Sequence, residues 1–202
     1  MRRILVILLP LCLLACSDGA SEQGGSILPP DVQFRVGDVV FRRGAGFTSQ
    51  AVLMAEKGGV YSHVGIVVDS AGVPMVVHAV PGEPDYEGDD DRVKIESPEA
   101  FFACARAQQG AVYRHTDSLT ASRAAAAALC VYRRRTLFDH DYDDSDTTSM
   151  YCTELIVHAY AATSRPLSGI RHHHLRLVGI ETDCILPSDI LHCSDLKPMI
   201  NF

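Results

Sequence analysis

The chemistry question starts at "MYCTELIVHAY", residues 150 to 160, where a cysteine stands at the mouth of an apolar stretch. Counting from Cys152, the side chains of Leu155, Ile156, Ala159 and Tyr160 fall on one stripe, as an amphipathic helix requires. Cys152 then occupies the first turn. A helix N-terminus carries free N–H groups and the positive end of the helix dipole, and both favour a thiolate. The backbone N–H of Cys152 faces the same space and is a candidate donor to an oxyanion. Three readings of Cys152 are open on these residues alone: a small buried hydrophobe, half of a disulfide, or a nucleophile.

A nucleophilic thiol needs a base, and nine histidines offer one. His63 lies in "YSHVGIVV" and His78 in "VPMVVHAV", two runs rich in β-branched residues with "DSAG" between them. This reads as a β-hairpin. If Asp69 to Gly72 form a four-residue loop, Val68 faces Val73 and His63 faces His78 directly. Opposed side chains share a face, with Cβ atoms about 4.5–5.5 Å apart. A two-residue slip in register keeps the two rings on one face; a one-residue slip separates them. One imidazole as base and a second polar ring as its orienter is an arrangement that cysteine nucleophiles use.

The elements that must position these residues follow from local pattern. "VGDVVFRR" (36 to 43) reads as a strand. Residues 44 to 59 read as a loop and a helix, with Thr48 or Ser49 as cap and Gly58 as stop. "RVKIES" (92 to 97) and "AVYRH" (111 to 115) read as short strands. "SPEAFFACARAQ" (97 to 108) has a capping Ser97, Pro98 at the first helical position and Glu99 in the first turn. The alanine-rich 118 to 135 is the strongest helix signal. Residues 185 to 196 read as a loop and short helix. Helices and strands mix without regular alternation, which predicts an α+β fold with an antiparallel sheet.

The chain has 202 residues, enough for one domain, and a formal net charge of −7. Nucleic-acid binding is disfavoured, because neutralising phosphates needs a basic face. The first residues, "MRRILVILLPLCLLAC", have a basic start, an apolar middle and a small residue before Cys16, the pattern of a secretory signal. "LLAC" resembles the bacterial lipobox. That resemblance implies cleavage after Ala15, diacylglycerol on Cys16 and a membrane anchor, and Ser17 implies export to the outer membrane, facing the periplasm. Residues 17 to 30 are polar, then proline-bearing, and read as a tether, with the domain running from Asp31 to 202. The mature chain is near −9, since only Arg2 and Arg3 are lost from 18 basic residues against 25 acidic ones. An exported protein meets oxidising conditions. Of seven cysteines, Cys12 leaves with the signal and Cys16 carries lipid. If Cys152 is free, Cys104, Cys130, Cys184 and Cys193 are open to three pairings or none.

"VGDVVF", "YSHVGIVV", "VVHAV" and "MYCTELIVHAY", in that order, with "ILPSDIL" near the end, resemble the permuted papain-like amidase family, the YiiX/YebB-like group. The likeness spans about residues 36 to 193. Members resemble NlpC-type cysteine peptidases with the His-bearing sheet placed before the Cys-bearing helix, the order His63 before Cys152 here. The resemblance implies a circularly permuted papain-like fold, an antiparallel sheet or half-barrel packed on helices. It implies Cys152 as nucleophile, His63 as base and His78 as third member, with no metal or organic cofactor. One departure stands out: many relatives carry glutamate where this chain has His78. A neutral imidazole accepts the His63 proton but brings no negative charge. Aromatic residues often precede this cysteine in the family; Tyr151 either assists the oxyanion through its hydroxyl or packs, and packing is favoured. Glu154 is read as structural.

Two tempting motifs are set aside. "RHHHLR" (171 to 176) is read as a solvated loop, because adjacent histidines do not converge and neither "HExxH" nor paired "CxxC" occurs. "DHDYDDSD" (139 to 146) lacks the glycine and final glutamate of a calcium loop and is read as an acidic loop beside the site. The expected function is an exported thiol hydrolase acting on an amide in a peptide or isopeptide, with cell-wall peptide as one substrate. The alternatives are acyl transfer or ester hydrolysis on a lipid, motivated by relatives such as the lecithin retinol acyltransferase group, and a binding module that keeps the fold without turnover.

Overall fold

The computed structural model describes residues 25–56, 58–177 and 180–202. The signal and lipidation features around Cys12, Cys16 and Ser17 lie outside the described residues. In chain order the elements are β1 (Val39–Arg43), α1 (Phe47–Ala55), β2 (His63–Ser70), β3 (Val73–Val80), β4 (Arg92–Glu96), α2 (Pro98–Phe101) and β5 (Gln109–His115). They continue as α3 (Ser118–Arg133), β6 (Leu137–Phe138), β7 (Ser149–Met150), α4 (Cys152–Ala161), β8 (His173–Leu177), β9 (Ile180–Cys184), α5 (Pro187–Leu191) and β10 (Leu196–Asn201). Eight strands form one sheet in the order β10-β5-β1-β2-β3-β4-β6-β7, and β8 pairs with β9 in a separate two-stranded ribbon. All pairs are antiparallel except β6 with β7. The fold is α+β, as expected.

Successive side chains on a strand point to opposite faces, and each face of the sheet is covered differently. One face carries Val39, Phe41, Val64, Ile66, Val68 and Val77, packed against the alanines of α3 and against Leu155, Ile156, Ala159 and Tyr160 of α4. The α4 stripe expected from sequence is therefore wholly buried. The other face carries Val40, Val67, Val76 and Val112 under Phe101 and Phe102, with Ile27, Leu28, Phe34 and Phe202 closing over them. Ile27 N–H donates to the Phe102 carbonyl, so residues read from sequence as tether are joined to the fold.

The hairpin differs from the expected register. Ser70 pairs with Val73 and Ile66 with Val77, so the loop is two residues, Ala71 and Gly72, rather than four. Both have positive φ (56° and 85°), the pattern of a type I′ turn, whose twist matches the flanking strands. The pairing is displaced by two residues. His78 therefore falls opposite Gly65, and His63 and His78 are diagonal neighbours on one face rather than directly opposed.

Other local expectations are corrected. Gly46, not Thr48 or Ser49, stands at the start of α1, and Glu56 rather than Gly58 ends it. The helix read over 97 to 108 is a single turn; Ser97 caps it by accepting from Ala100 N–H, and the chain leaves the helix after Phe101. Its two phenylalanines are both buried in the sheet face, a tertiary demand that outweighs local propensity. Asp117, just outside the predicted start, caps α3 by accepting from Leu119 and Thr120 N–H. "RHHHLR" is mostly strand β8, its histidines held by acidic partners: His173 by Asp189 and His174 by Asp183. Cys104, Cys130, Cys152, Cys184 and Cys193 are all free thiols, so neither the nearby pair Cys184 and Cys193 nor any other described pair is bonded.

Candidate active site

Cys152 is placed by three anchors. Met150 of β7 pairs with Phe138, which ties the segment to the end of the sheet one residue before the helix begins. Tyr151 is the N-cap, and the Glu154 carboxylate accepts from its backbone N–H at 3.2 Å. Thr153 donates from its hydroxyl to the Ile185 carbonyl at 2.7 Å. Cys152 thus starts α4 where that helix meets β2. The β2–β3 ladder ends at Ile66 with Val77, and the backbone N–H of Val64 beyond that end is directed at the Cys152 thiol. Val64 is the residue after His63, and Cys152 and His63 line the same cleft.

The two imidazoles meet. His63 Nε2 lies 2.8 Å from His78 Nδ1. The diagonal placement requires the His78 ring to lean across toward β2, and Gly65 opposite it leaves the space. A Cβ on Gly65 would lie 3.2 Å from His78 Cβ and 2.7 Å from Val76 Cγ1. Phe101 supports both rings, stacked on His63 with centroids 5.6 Å apart and edge-on to His78 at 5.1 Å. Behind His78, its Nε2 lies 3.0 Å from Glu96 Oε1 on β4, a close contact with a bent geometry rather than an aligned hydrogen bond.

Arg42 sits directly across the β1–β2 ladder from His63. It is 3% exposed, donates to the Phe101 carbonyl at 2.9 Å, pairs with Glu83 and lies over the Phe101 ring. Arg106 joins Glu83 and Glu96, and Lys94 joins Asp85, so paired charges of both signs lie near the imidazoles.

The electrostatics follow from this burial. Burial, then the Arg42 charge, then His78 hold the His63 imidazole well below its usual value. Burial, Arg42, Lys94 and Arg106 do the same to His78. Burial pushes the Cys152 thiol up to about 11, with partial relief from the N–H groups of Val64, Thr153 and Cys152 itself and from Arg42. The resting site at neutral pH is a neutral thiol sharing a cleft with the neutral His63 imidazole, which the neutral His78 ring contacts from behind. Such a set transfers a proton as the thiol reacts instead of storing a preformed ion pair.

Two cavities meet at Cys152. One is an open cleft with polar walls that include Arg42, Ser62, His63, Glu83 and Arg106. The other is narrower and almost wholly apolar, with Val52, Tyr142, Leu175, Ile185 and Leu186 among its walls.

Tyr151, the expected oxyanion aid or packing residue, is 2% exposed, and its hydroxyl accepts from the Ile185 N–H at 3.1 Å. That environment is the packing one. Glu154 stabilises the helix start, consistent with a structural part. Sequence reasoning missed Arg42, Glu96, Phe101 and Gly65. A charged residue inside an apolar strand was the available signal for Arg42 and Glu96; their convergence depends on a register that the sequence did not supply.

Comparisons with known proteins agree with this architecture. Residues 33–173 match the model of the permuted papain-like amidase family, YaeF/YiiX, C92. No curated protein matches the chain significantly. Among solved structures, the chain is similar to the metalloprotein YiiX of Escherichia coli O157:H7, with 17% identity and a TM-score of 0.66, over 85% of this chain and 99% of that one. The match spans well over half of the sequence and falls on an α+β fold of the same kind, so the chain belongs to the permuted papain-like amidase family, a family of cysteine amidases and peptidases.

Proposed function

We propose that this protein is an exported, lipid-anchored thiol hydrolase that cleaves an amide bond, in a peptide or isopeptide, through Cys152, His63 and His78. The observation that carries the reading is that His63, in 2.8 Å contact with the buried His78, lines the cleft that Cys152 enters from the first turn of α4. His63 Nε2 is taken by His78, which leaves Nδ1 for the thiol proton. In the first step that proton moves to Nδ1 while sulfur bonds to the carbonyl carbon, and the resulting oxyanion faces backbone N–H groups at the start of α4. The carbon–nitrogen bond then breaks, and the imidazolium returns the proton to the leaving amine. Water, deprotonated by His63, attacks the thioester, releasing the acid and restoring the thiol. Anchoring by lipid on Cys16, and a place in the outer membrane facing the periplasm, rest on the N-terminal sequence alone.

The similar YiiX is a metalloprotein. Among the described residues here, no group of three or more His, Cys, Asp or Glu side chains is arranged to hold a metal ion.

A second reading, hydrolysis or transfer of a lipid acyl group, is favoured by the apolar cavity beside Cys152. The polar cleft with Arg42, Arg106 and Glu83 in its walls favours peptides. The test is intact-mass analysis after exposure to two panels, peptide p-nitroanilides and p-nitrophenyl acyl esters. The proposal expects an acyl adduct on Cys152 and p-nitroaniline release, both lost in Cys152→Ala. Turnover of acyl esters only, with peptides inert, supports the lipid reading. Turnover that survives Cys152→Ala contradicts both.

A further inference from the structure

We infer that Glu96 is a positioning residue of this site: it fixes the tautomers of His78 and His63 so that the basic nitrogen of His63 is Nδ1. The inference rests on the reading of Cys152, His63 and His78 given above.

Donors and acceptors alternate along a chain of contacts from Glu96 to His63. Glu96 is 9% exposed, and its two oxygens have different neighbours. Oε2 receives Arg106 Nη1 at 2.9 Å, with Lys94 Nζ 3.8 Å away. Oε1 faces His78 Nε2 at 3.0 Å, with Arg42 Nη1 farther, at 3.9 Å. An ionised carboxylate only accepts. A carboxylate oxygen 3.0 Å away favours the hydrogen on the His78 nitrogen that faces it, even across a bent contact. A neutral imidazole has one N–H and one bare nitrogen, so His78 Nδ1 is bare. His63 Nε2, 2.8 Å from that bare nitrogen, must in turn be the donor. The consequence is that His63 Nδ1 is bare and able to take a proton from a thiol. Each link follows from the one before it once the Glu96 charge sets the first.

The same contact supplies what an imidazole at position 78 lacks. When His63 becomes cationic, Glu96 Oε1, reached through His78, offers it a negative charge. The carboxylate does not touch the reacting atoms, so its part is orientation and stabilisation rather than proton transfer. The charged and titratable groups facing it are Arg42 from β1, His78 from β3, Lys94 from β4, Arg106 from the segment after α2, and Glu83 from the β3–β4 loop. This balance of charges also makes Glu96 a structural residue, so the test must separate the two parts.

The readout is the rate of Cys152 carbamidomethylation by iodoacetamide at pH 7, followed by mass spectrometry of the Cys152 peptide, which needs no known substrate. Glu96→Gln, whose amide can donate as well as accept, removes the tautomer constraint and is expected to slow the reaction roughly 10- to 100-fold, a general-base-sized effect. In a His78→Glu background a carboxylate contacts His63 directly. There Glu96→Gln is expected to change the rate less than about twofold, because a base already oriented has no more assistance to lose. Equal losses in the two backgrounds mean a structural part only and overturn the inference, as does a wild-type rate for Glu96→Gln. If His63→Ala is slow while Glu96→Gln is not, only this inference falls; if His63→Ala reacts as fast as wild type, the proposed function falls with it. Nitrogen-15 shifts of the wild-type imidazoles give a check that no substitution can spoil. Protonated Nε2 and bare Nδ1 on both His63 and His78 are expected, and the opposite tautomers overturn the assignment.

Discussion

Replacing Gly65 by alanine tests whether strand register sets reactivity. The added methyl carbon would lie 2.7 Å from Val76 Cγ1 and 3.2 Å from both His78 Cβ and the Val77 carbonyl oxygen. Carbon atoms rest about 3.5–4.0 Å apart, so Val76 must retreat by roughly 1 Å and His78 by a few tenths. Overpacking of this kind costs about 1–3 kcal/mol. Alanine recovers roughly 0.5–1 kcal/mol, because glycine loses more chain entropy on folding. The net expectation is a loss of about 0.5–2 kcal/mol in urea unfolding. The functional effect is larger in proportion. The His78 ring rides on the displaced Cβ, and the 2.8 Å contact to His63 tolerates little lengthening before it weakens. The Cys152 carbamidomethylation rate should fall about tenfold, with the base mis-oriented but present. Wild-type stability together with wild-type labelling would refute the steric argument. Lower stability with unchanged labelling would refute the claim that reactivity depends on the leaning His78 ring.

Further outcomes follow from the buried charges. His63 and His78 are held well below their unfolded value of about 6.5, so the unfolded chain binds protons first as pH falls. Their contribution to stability is present above pH ~6.5 and is lost on acidification below it, which urea midpoints between pH 7 and pH 5 will show as a decline that His63→Ala reduces. Glu154 behaves oppositely: burial and the nearby Asp139, Asp144 and Asp146 push its carboxyl up to about 8, so its effect turns unfavourable as pH rises from the unfolded carboxyl range toward 8. Glu154→Gln retains an acceptor for the Tyr151 N–H, so it should be near neutral at pH 5 and stabilising at pH 8, by about 1–2 kcal/mol once the shift is discounted for partial solvation. Arg42→Met leaves Glu83 and Glu96 short of a cation and should cost about 3–5 kcal/mol in urea unfolding. The same change removes a charge that depresses both imidazoles, so their titration by proton NMR should move upward in pH.

Much of the site was legible because the signals were local or nearly so. The α4 stripe and the thiol at its first turn follow from periodicity over a dozen residues. The hairpin follows from β-branched runs around a turn. Even with the loop length misread by two residues, the period-two alternation kept His63 and His78 on one face, which is why the pair survived the error. What could not be read was set by longer-range pairing. Glu96 reaches His78 only because β4 pairs with β3 in one register, and Arg42 reaches His63 only through β1 and β2. The single-turn α2 was overestimated because a good cap and a proline at the first turn say where a helix starts, not where burial of Phe101 and Phe102 ends it. The strand β8 was missed because three adjacent histidines carry no hydrophobic alternation. Its pairing with β9 and its acidic partners are visible only in three dimensions.

The central claim is that a neutral thiol and a neutral imidazole act as one unit in this cleft. The pH profile of Cys152 alkylation, measured side by side in wild type and His63→Ala, tests it most directly. With the thiol pushed up to about 11 and His63 held low, wild type should show a pH-independent limb through neutrality, where His63 takes the proton as sulfur reacts. His63→Ala should lose that limb, its rate falling about tenfold for each pH unit below the thiol's own value. Superimposable profiles for the two proteins would contradict the account.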